Sequence, residues 1–451
     1  MVISRTRRWA LLATVSAGLL LITLDNAILY TALPTLAREL GATPAEGLWI
    51  INAYPVVMAG LLLGSGTLGD RVGHRIMFLG GLAVFGAASL LAAFAPGPGT
   101  LIGARALLAV GASAMMPATL ALIRVTFHDE RERNMAIAVW GSLAVVGASL
   151  GPIAGGLLLE WFWWGSAFLV NVPVVVIALV AGLILAPRGA PDTARHWDAP
   201  SSALATLGLV GAVLAVKELA HVPPSWPLVA AGTAAAVTGF TLFARRQRRL
   251  ADPLLDLGIF RNPVFSSGVA AAAFSMFTIA GLQLATTQRF QEVAGFTPLQ
   301  AGMLVAVVAL GSLPTSLLGA AVVHRTGVRP LIAGGLACAV PGVALTMTGL
   351  AAGLPVLVAG MALTGAGLGA AMSVASMAIM GNVPAGRAGM ASSVQEVSYE
   401  FGSLTAVALL GSLLGLARDV SGDMDTAYLV VLAVVAVALA AGAGLTKGAA
   451  R

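Results

Sequence analysis

The sequence predicts an all-α polytopic membrane protein with fourteen transmembrane helices, and three observations carry that prediction. Of 451 residues, 58% are hydrophobic and only 10% charged, with a mean hydropathy of +0.94; soluble domains of this size are far more polar. Apolar runs long enough to cross a bilayer recur from one end to the other. The loops between them alternate in charge. The 54 glycines suit closely packed membrane helices, where small residues let backbones approach.

In order, the apolar segments are 9–33, 48–68, 76–94, 101–123, 135–159, 167–186, 203–219 and 228–243, then 265–286, 301–322, 331–350, 354–380, 388–414 and 428–445. The first is flanked by Arg5, Arg7 and Arg8 and lacks a small-residue cleavage site before Asp25. It reads as a retained helix rather than a removed signal peptide. Arg71, Arg75, Arg124, Arg131, Arg133, Arg188 and Arg195 fall on the same side as the first three arginines. So do Arg245, Arg246, Arg248, Arg249, Arg261, Arg325, Arg329, Arg387, Lys447 and Arg451. The opposite loops hold little besides Arg38, Arg289 and Arg418. The positive-inside rule then places both termini in the cytoplasm, which requires an even number of spans. This asymmetry accounts for the net charge of +6, so nucleic acid is not an expected partner. Cys338 is the single cysteine, which excludes an intramolecular disulfide and offers no cysteine metal site.

The chain divides into three parts. Residues 1–187 form an N-terminal six-helix half, 188–262 hold two inserted helices and a basic cytoplasmic loop, and 263–451 form a C-terminal six-helix half. The halves echo each other. Asp70-Arg71-Val72-Gly73-His74-Arg75 follows the second helix of one, and His324-Arg325-Thr326-Gly327-Val328-Arg329 follows the second helix of the other. Repeated halves with a site at the midplane are a common transporter plan. The competing reading is two Gly/Arg turns that merely obey the charge rule.

Polar groups at bilayer depth are the candidate functional residues. Glu396 and Glu400 are spaced i, i+4 in segment 388–414, so on a helix both carboxylates point the same way. A charge at that depth costs roughly 2.5–3.5 kcal/mol on insertion scales, so it is expected to face a water-filled cavity, to pair or to take up a proton. The alternative is a shorter helix with the pair snorkelling at the headgroups. Asp25 and Asn26 interrupt the first segment. Arg105 interrupts the fourth, either as a fixed positive charge paired with a carboxylate or as an arginine snorkelling to the near interface. In the fifth segment, residues 147–156 carry no ionisable group. Their glycines allow close helix contact, and Pro152 removes a ladder hydrogen bond and bends the helix.

These stretches resemble the signatures of the major facilitator superfamily, in its fourteen-helix branch of drug:proton antiporters. Residues 66–75 resemble the cytoplasmic loop between helices two and three, and the resemblance implies a gating role for Gly66, Asp70, Arg71, Gly73 and Arg75. His74 stands where an arginine is usual. Residues 101–113 resemble the fourth-helix signature, from which only Arg105 is carried over as a proton-coupling residue, since Leu108 and Ala109 replace the usual Gln-Gly. Residues 147–156 match the fifth-helix antiporter signature in full at Gly147, Gly151, Pro152, Gly155 and Gly156, which in the family marks export. Residues 24–34 resemble the first-helix signature of the branch. Residues 396–402 are similar to the Glu-x-x-x-Glu pattern of helix thirteen in exporters of quaternary ammonium compounds and dyes. Asn52 stands where those exporters often carry an acid, and the link between helices thirteen and fourteen is short, about residues 416–426.

The resemblance implies a monomer in the bacterial cytoplasmic membrane that exchanges lipophilic cations for protons. Asp25, Glu396, Glu400 and Arg105 are the expected proton and substrate groups. Asn26, Tyr30, Asn52, Tyr54, Met115, Met116, Phe274, Phe277 and Tyr399 are candidate cavity residues, each with ordinary helix packing as the competing reading. Protonation of a carboxylate would remove the counter-charge and release the cation outward while the two halves rock about the site. No cofactor is expected, with protons as the coupling ion. Export of a neutral or anionic natural product by the same fold is the alternative. An enzyme is not expected, because the sequence has no HExxH, nucleophile elbow or phosphate loop.

Overall fold

The structure, a computed structural model, describes residues 4–187, 198–219, 224–250, 253–383 and 388–448. Arg188, Arg195, Arg387 and Arg451, part of the charge pattern above, lie outside the described residues, as do the side chains of His324 and Lys447. The described residues form α-helices with one short 3-10 turn. Thirteen helices are long and apolar enough to cross a membrane, and the count is fourteen when the bent pair Arg131–Ala148 and Leu150–Trp161 is one span. The 45° bend in that pair lies where the Pro152 ring meets the carbonyl one turn back, as the sequence predicts.

Two compact units divide the chain, Met1–Ala203 and Leu204–Arg451. The first contains α1 (Arg5–Leu40), α2 (Pro44–Val72), α3 (His74–Ala93), α4 (Pro98–Thr126), α5 (Glu130–Trp161), the short α6 (Ser166–Leu169), α7 (Asn171–Leu185) and the start of α8 (Ala199–Leu219). The second holds the rest of α8, then α9 (Trp226–Gln247), α10 (Pro263–Glu292), α11 (Pro298–Thr326), α12 (Val328–Ala352), α13 (Leu354–Gly381), α14 (Ala388–Ser421) and α15 (Met424–Gly448).

The internal echo is written in helix ends as well as in charges. Helix α2 opens on a Thr43-Pro44-Ala45-Glu46 capping box and α11 on Thr297-Pro298-Leu299-Gln300, with both reciprocal bonds formed in each. Each is 29 residues long and carries an internal proline, Pro55 or Pro314. Each ends at one glycine before the next helix starts. Gly73 has φ 99° and Gly327 φ 83°, a left-handed backbone that favours glycine and lets one residue turn the chain.

The charge pattern shows in contacts at the helix ends. In the first unit, Arg8 donates to Glu132 at 2.8 Å, while Arg7 and Arg75 donate to the Ile184 and Leu183 carbonyls at 2.7 Å each. These two guanidiniums sit at the α7 C-terminus, where exposed carbonyls favour cations. In the second unit, Arg289 pairs with Asp425 at 2.7 Å and Arg418 with Glu292 at 2.8 Å. Arg7, Arg8 and Arg75, assigned to one side by sequence, thus meet at neighbouring helix ends in the first unit, and two of the three arginines assigned to the other side pair with carboxylates.

The link between the last two helices is shorter than the 416–426 read from sequence. Helix α14 runs on to Ser421, and Gly422 (φ 69°) and Asp423 make the turn alone. The polar run Arg418-Asp419 looks like a loop but stays helical, because these side chains lie outside the core and Arg418 finds Glu292. Asp423 caps α15 by accepting from Thr426 N at 2.9 Å.

Candidate functional site

In the first unit, five helices bring polar side chains to one buried point. Helix α5 sets the position of α1 there. A Cβ added at Gly147 would collide with Thr23, one at Gly151 with Ala27, and one at Gly155 would lie 3.1 Å from the Ile28 carbonyl. These glycines, four residues apart, form a groove in which the turn holding Asp25 lies. Pro152 and Gly156 of the same signature are also buried. Gly141, earlier on α5, faces open space. Gly151→Ala is therefore expected to destabilise the protein by about 1–3 kcal/mol through overpacking. Gly141→Ala should stabilise it by roughly 0.8–1 kcal/mol through helix propensity. Thermal unfolding of the purified variants should move in opposite directions, and a parallel shift would show that the groove is not tightly packed.

Arg105 of α4 lies at the centre, fully buried. Its Nη1 donates to Asp25 Oδ2 in a short ion pair. Its Nη2 donates to Asn26 Oδ1 at 3.0 Å and its Nε to the Ile50 carbonyl of α2 at 3.3 Å. The Tyr54 ring lies 4.7 Å from the guanidinium carbon, within cation–π range. The other Asp25 oxygen accepts from Asn171 Nδ2 of α7 at 2.9 Å, and the same nitrogen donates to Ser89 Oγ of α3 at 3.3 Å. The pair sums to zero charge and each ion is hydrogen-bonded by neutral neighbours, the condition under which a buried pair is tolerated. Asn52, two residues before Tyr54 on α2, is fully buried, with neither amide atom bonded among the described residues.

Asp25, Asn26, Arg105 and Tyr54 thus come together as a single cluster, and Arg105 is paired rather than snorkelling. Asn171 and Ser89 were not picked out by sequence. Each is a neutral residue in an apolar run, and the only available signal was an asparagine at the start of a span. Tyr30 and Met115 are buried in the same unit. Met115 is fully buried with its side chain against Gly81, and Tyr30 is 8% exposed. The residues read from sequence as a gating loop lie mostly in the last turns of α2, with Gly73 alone as the link: Asp70 pairs with His74 of α3 at 3.2 Å, Arg71 is exposed, and Gly66 faces Pro117 of α4.

In the second unit, Glu396, Tyr399 and Glu400 sit half-buried on the unbroken helix α14. No described lysine or arginine forms an ion pair with Glu396. The two carboxylates are one turn apart on one face, where like charges repel. Around them the helix is held closely. Gly402 lies against the Ala273 backbone of α10, and Gln395 accepts from Ser376 of α13 at 2.8 Å. Tyr399 packs on the cluster of Phe265, Ala272, Ile379, Ala391 and Val394. The Phe274 ring lies against Gly442 of α15, and Phe277 is buried. These aromatic rings are engaged in helix packing.

The two constellations differ in charge. The Asp25 cluster is neutral as it stands, whereas the α14 pair brings two carboxylates together with no described cation on Glu396.

Comparison with known proteins agrees with this architecture. The sequence profile of the Major Facilitator Superfamily matches residues 15–287 and 264–448. The multidrug efflux pump LfrA of Mycolicibacterium smegmatis is 38% identical over 416 residues, covering 90% of this chain and 81% of that protein. The methyl viologen resistance protein SmvA of Salmonella typhimurium is 35% identical over 410 residues, covering 90% and 83%. The tetracenomycin C resistance and export protein of Streptomyces glaucescens is 30% identical over 420 residues, covering 91% and 76%. Among solved structures, a bacterial homologue of the human lysosomal transporter Spinster, inward-facing and unoccupied, superposes with TM-score 0.66 at 16% identity, covering 99% of this chain and 96% of that one. That likeness is one of fold.

Proposed function

The chain belongs to the Major Facilitator Superfamily, and on that premise we propose that it exports lipophilic organic cations across the cytoplasmic membrane in exchange for protons. The protein is a membrane transporter rather than an enzyme, and it spans the bacterial cytoplasmic membrane many times. Both termini face the cytoplasm in this proposal, by the positive-inside rule.

The observation that carries the reading is the Glu396–Glu400 pair. Half-buried, acidic and without a described cation on Glu396, it offers a counter-charge, when ionised, that a lipophilic cation can use and a proton can cancel. The Asp25 carboxylate is already matched by Arg105, so it suits proton coupling better than drug binding. The division of labour proposed here is cation binding at the α14 pair and proton exchange at both sites. Relatives named for multidrug efflux and for resistance to methyl viologen, itself a dication, support a cationic substrate. Relatives named for puromycin and tetracenomycin C resistance favour a second reading, a dedicated exporter of a natural product.

The test uses proteoliposomes with an acidic lumen, following ethidium uptake and lumenal pH together. Ethidium should accumulate and dissipate the gradient. A gradient untouched by ethidium and by other lipophilic cations would sink cation antiport and turn the search to neutral and anionic metabolites.

A further inference from the structure

One side chain in the Asp25 cluster has unbalanced bonding. Asn171 is fully buried. Its Nδ2 serves Asp25 Oδ1 at 2.9 Å and Ser89 Oγ at 3.3 Å. Its Oδ1, also buried, has no partner among the described residues. Turning the amide over exchanges oxygen and nitrogen with almost no change of shape. One amide atom is unpaired in either orientation, so that cost largely cancels. Ser89 is indifferent as well, because a hydroxyl accepts from Nδ2 or donates to Oδ1 by rotating its hydrogen. Only Asp25 tells the orientations apart. A carboxylate accepts and needs Nδ2, whereas a carboxylic acid donates and needs Oδ1.

We propose that Asn171 is a positioning residue for proton exchange at Asp25, its amide donating to the carboxylate and, turned over, accepting from the carboxylic acid. A proton arriving from water forms an O–H bond on Asp25 Oδ1, and that hydroxyl donates to Asn171 Oδ1. When the proton returns to water, the amide turns back. Arg105 tolerates the change because it keeps three other contacts, with Asn26 Oδ1 at 3.0 Å, the Ile50 carbonyl at 3.3 Å and the Tyr54 ring at 4.7 Å.

Few other groups on the helices packed around α1 could set this titration. Helix α4 presents Arg105 and α2 presents Tyr54. Helices α3 and α7 present the neutral Ser89 and Asn171. Helix α5 presents its glycines and has no titratable residue between 134 and 159, while the short α6 has none at all. Proton exchange at Asp25 therefore reads out through Arg105 and Asn171.

This inference rests on the proposed proton coupling through Asp25, and infrared difference spectra between acid and alkaline buffer separate the two. The full chain in liposomes is compared with Asp25→Asn, Asn171→Leu and Asn171→Ser. A protonated-carboxyl C=O band that disappears in Asp25→Asn belongs to Asp25. Asn171→Leu is expected to shift that band to higher wavenumber, because the acid loses its acceptor. Asn171→Ser, whose hydroxyl both donates and accepts, should keep it nearer the native position and serves if the leucine variant does not fold. Ethidium–proton exchange should slow about tenfold in Asn171→Leu, the worth of one charge-assisted hydrogen bond, with ethidium affinity unchanged. An Asp25 band that neither variant moves overturns the role of Asn171 and leaves coupling through Asp25 standing. Absence of any Asp25 band overturns both.

Discussion

Arg105→Met is expected to cost the folded protein about 3–5 kcal/mol and to abolish transport. The reason is asymmetry. Arg105 and Asp25 expose 0% and 1% of their side chains. Removing one partner leaves a desolvated charge with nothing to match it, which is far more costly than the pair was favourable. The Asn26 and Ile50 acceptors would also lose their donor. Adding Asp25→Asn to Arg105→Met removes the orphaned charge and should recover most of the lost thermal stability without restoring transport. The pair of measurements separates a structural ion pair from a working one. An Arg105→Met protein that melts at the native temperature would refute the buried pair. A double variant that transports would refute its role in coupling.

Glu396→Gln is expected to act in the opposite sense on stability. Two carboxylates one helical turn apart repel by roughly 0.2–0.5 kcal/mol, and Glu396 forms no ion pair with a described lysine or arginine. Neutralising it should leave the melting temperature unchanged or higher. Accumulation of ethidium against a pH gradient should fall to the level of empty liposomes. Gain of stability with loss of function is the signature of a charge kept for its task rather than for the fold. Glu400→Gln provides the comparison on the same helical face. If both glutamine variants still accumulate ethidium, the counter-charge lies elsewhere and the cation reading loses its main support.

Much of the fold was legible because a bilayer leaves a chain few options. Backbone groups in hydrocarbon must bond internally, so long apolar runs become helices, and the fourteen predicted segments correspond to the spans found. Helix ends were legible where caps carry a chemical signature, as at Thr43-Pro44-Ala45-Glu46 and Thr297-Pro298-Leu299-Gln300. The end of α14 was misjudged because Arg418 and Asp419 resemble a loop, and the partner that Arg418 finds in the fold, Glu292, lies 126 residues away in sequence.

For the candidate site, the sequence alone determined which charges interrupt apolar runs, an interruption whose energetic cost in a membrane calls for a reason. It also determined that Glu396 and Glu400 share a face, because helical periodicity is local. Which charge meets which was decided by tertiary structure. Asp25 and Arg105 lie 80 residues apart and Asp25 and Asn171 lie 146 apart, and no periodicity reaches across such distances. Asn171 and Ser89 became visible only when α3 and α7 packed beside α1. Their side chains are neutral and inexpensive to bury once bonded, so an apolar run carries them without outward sign. The glycine groove of α5, legible as a motif, acquired its purpose only in three dimensions, where it seats the turn of α1 that holds Asp25.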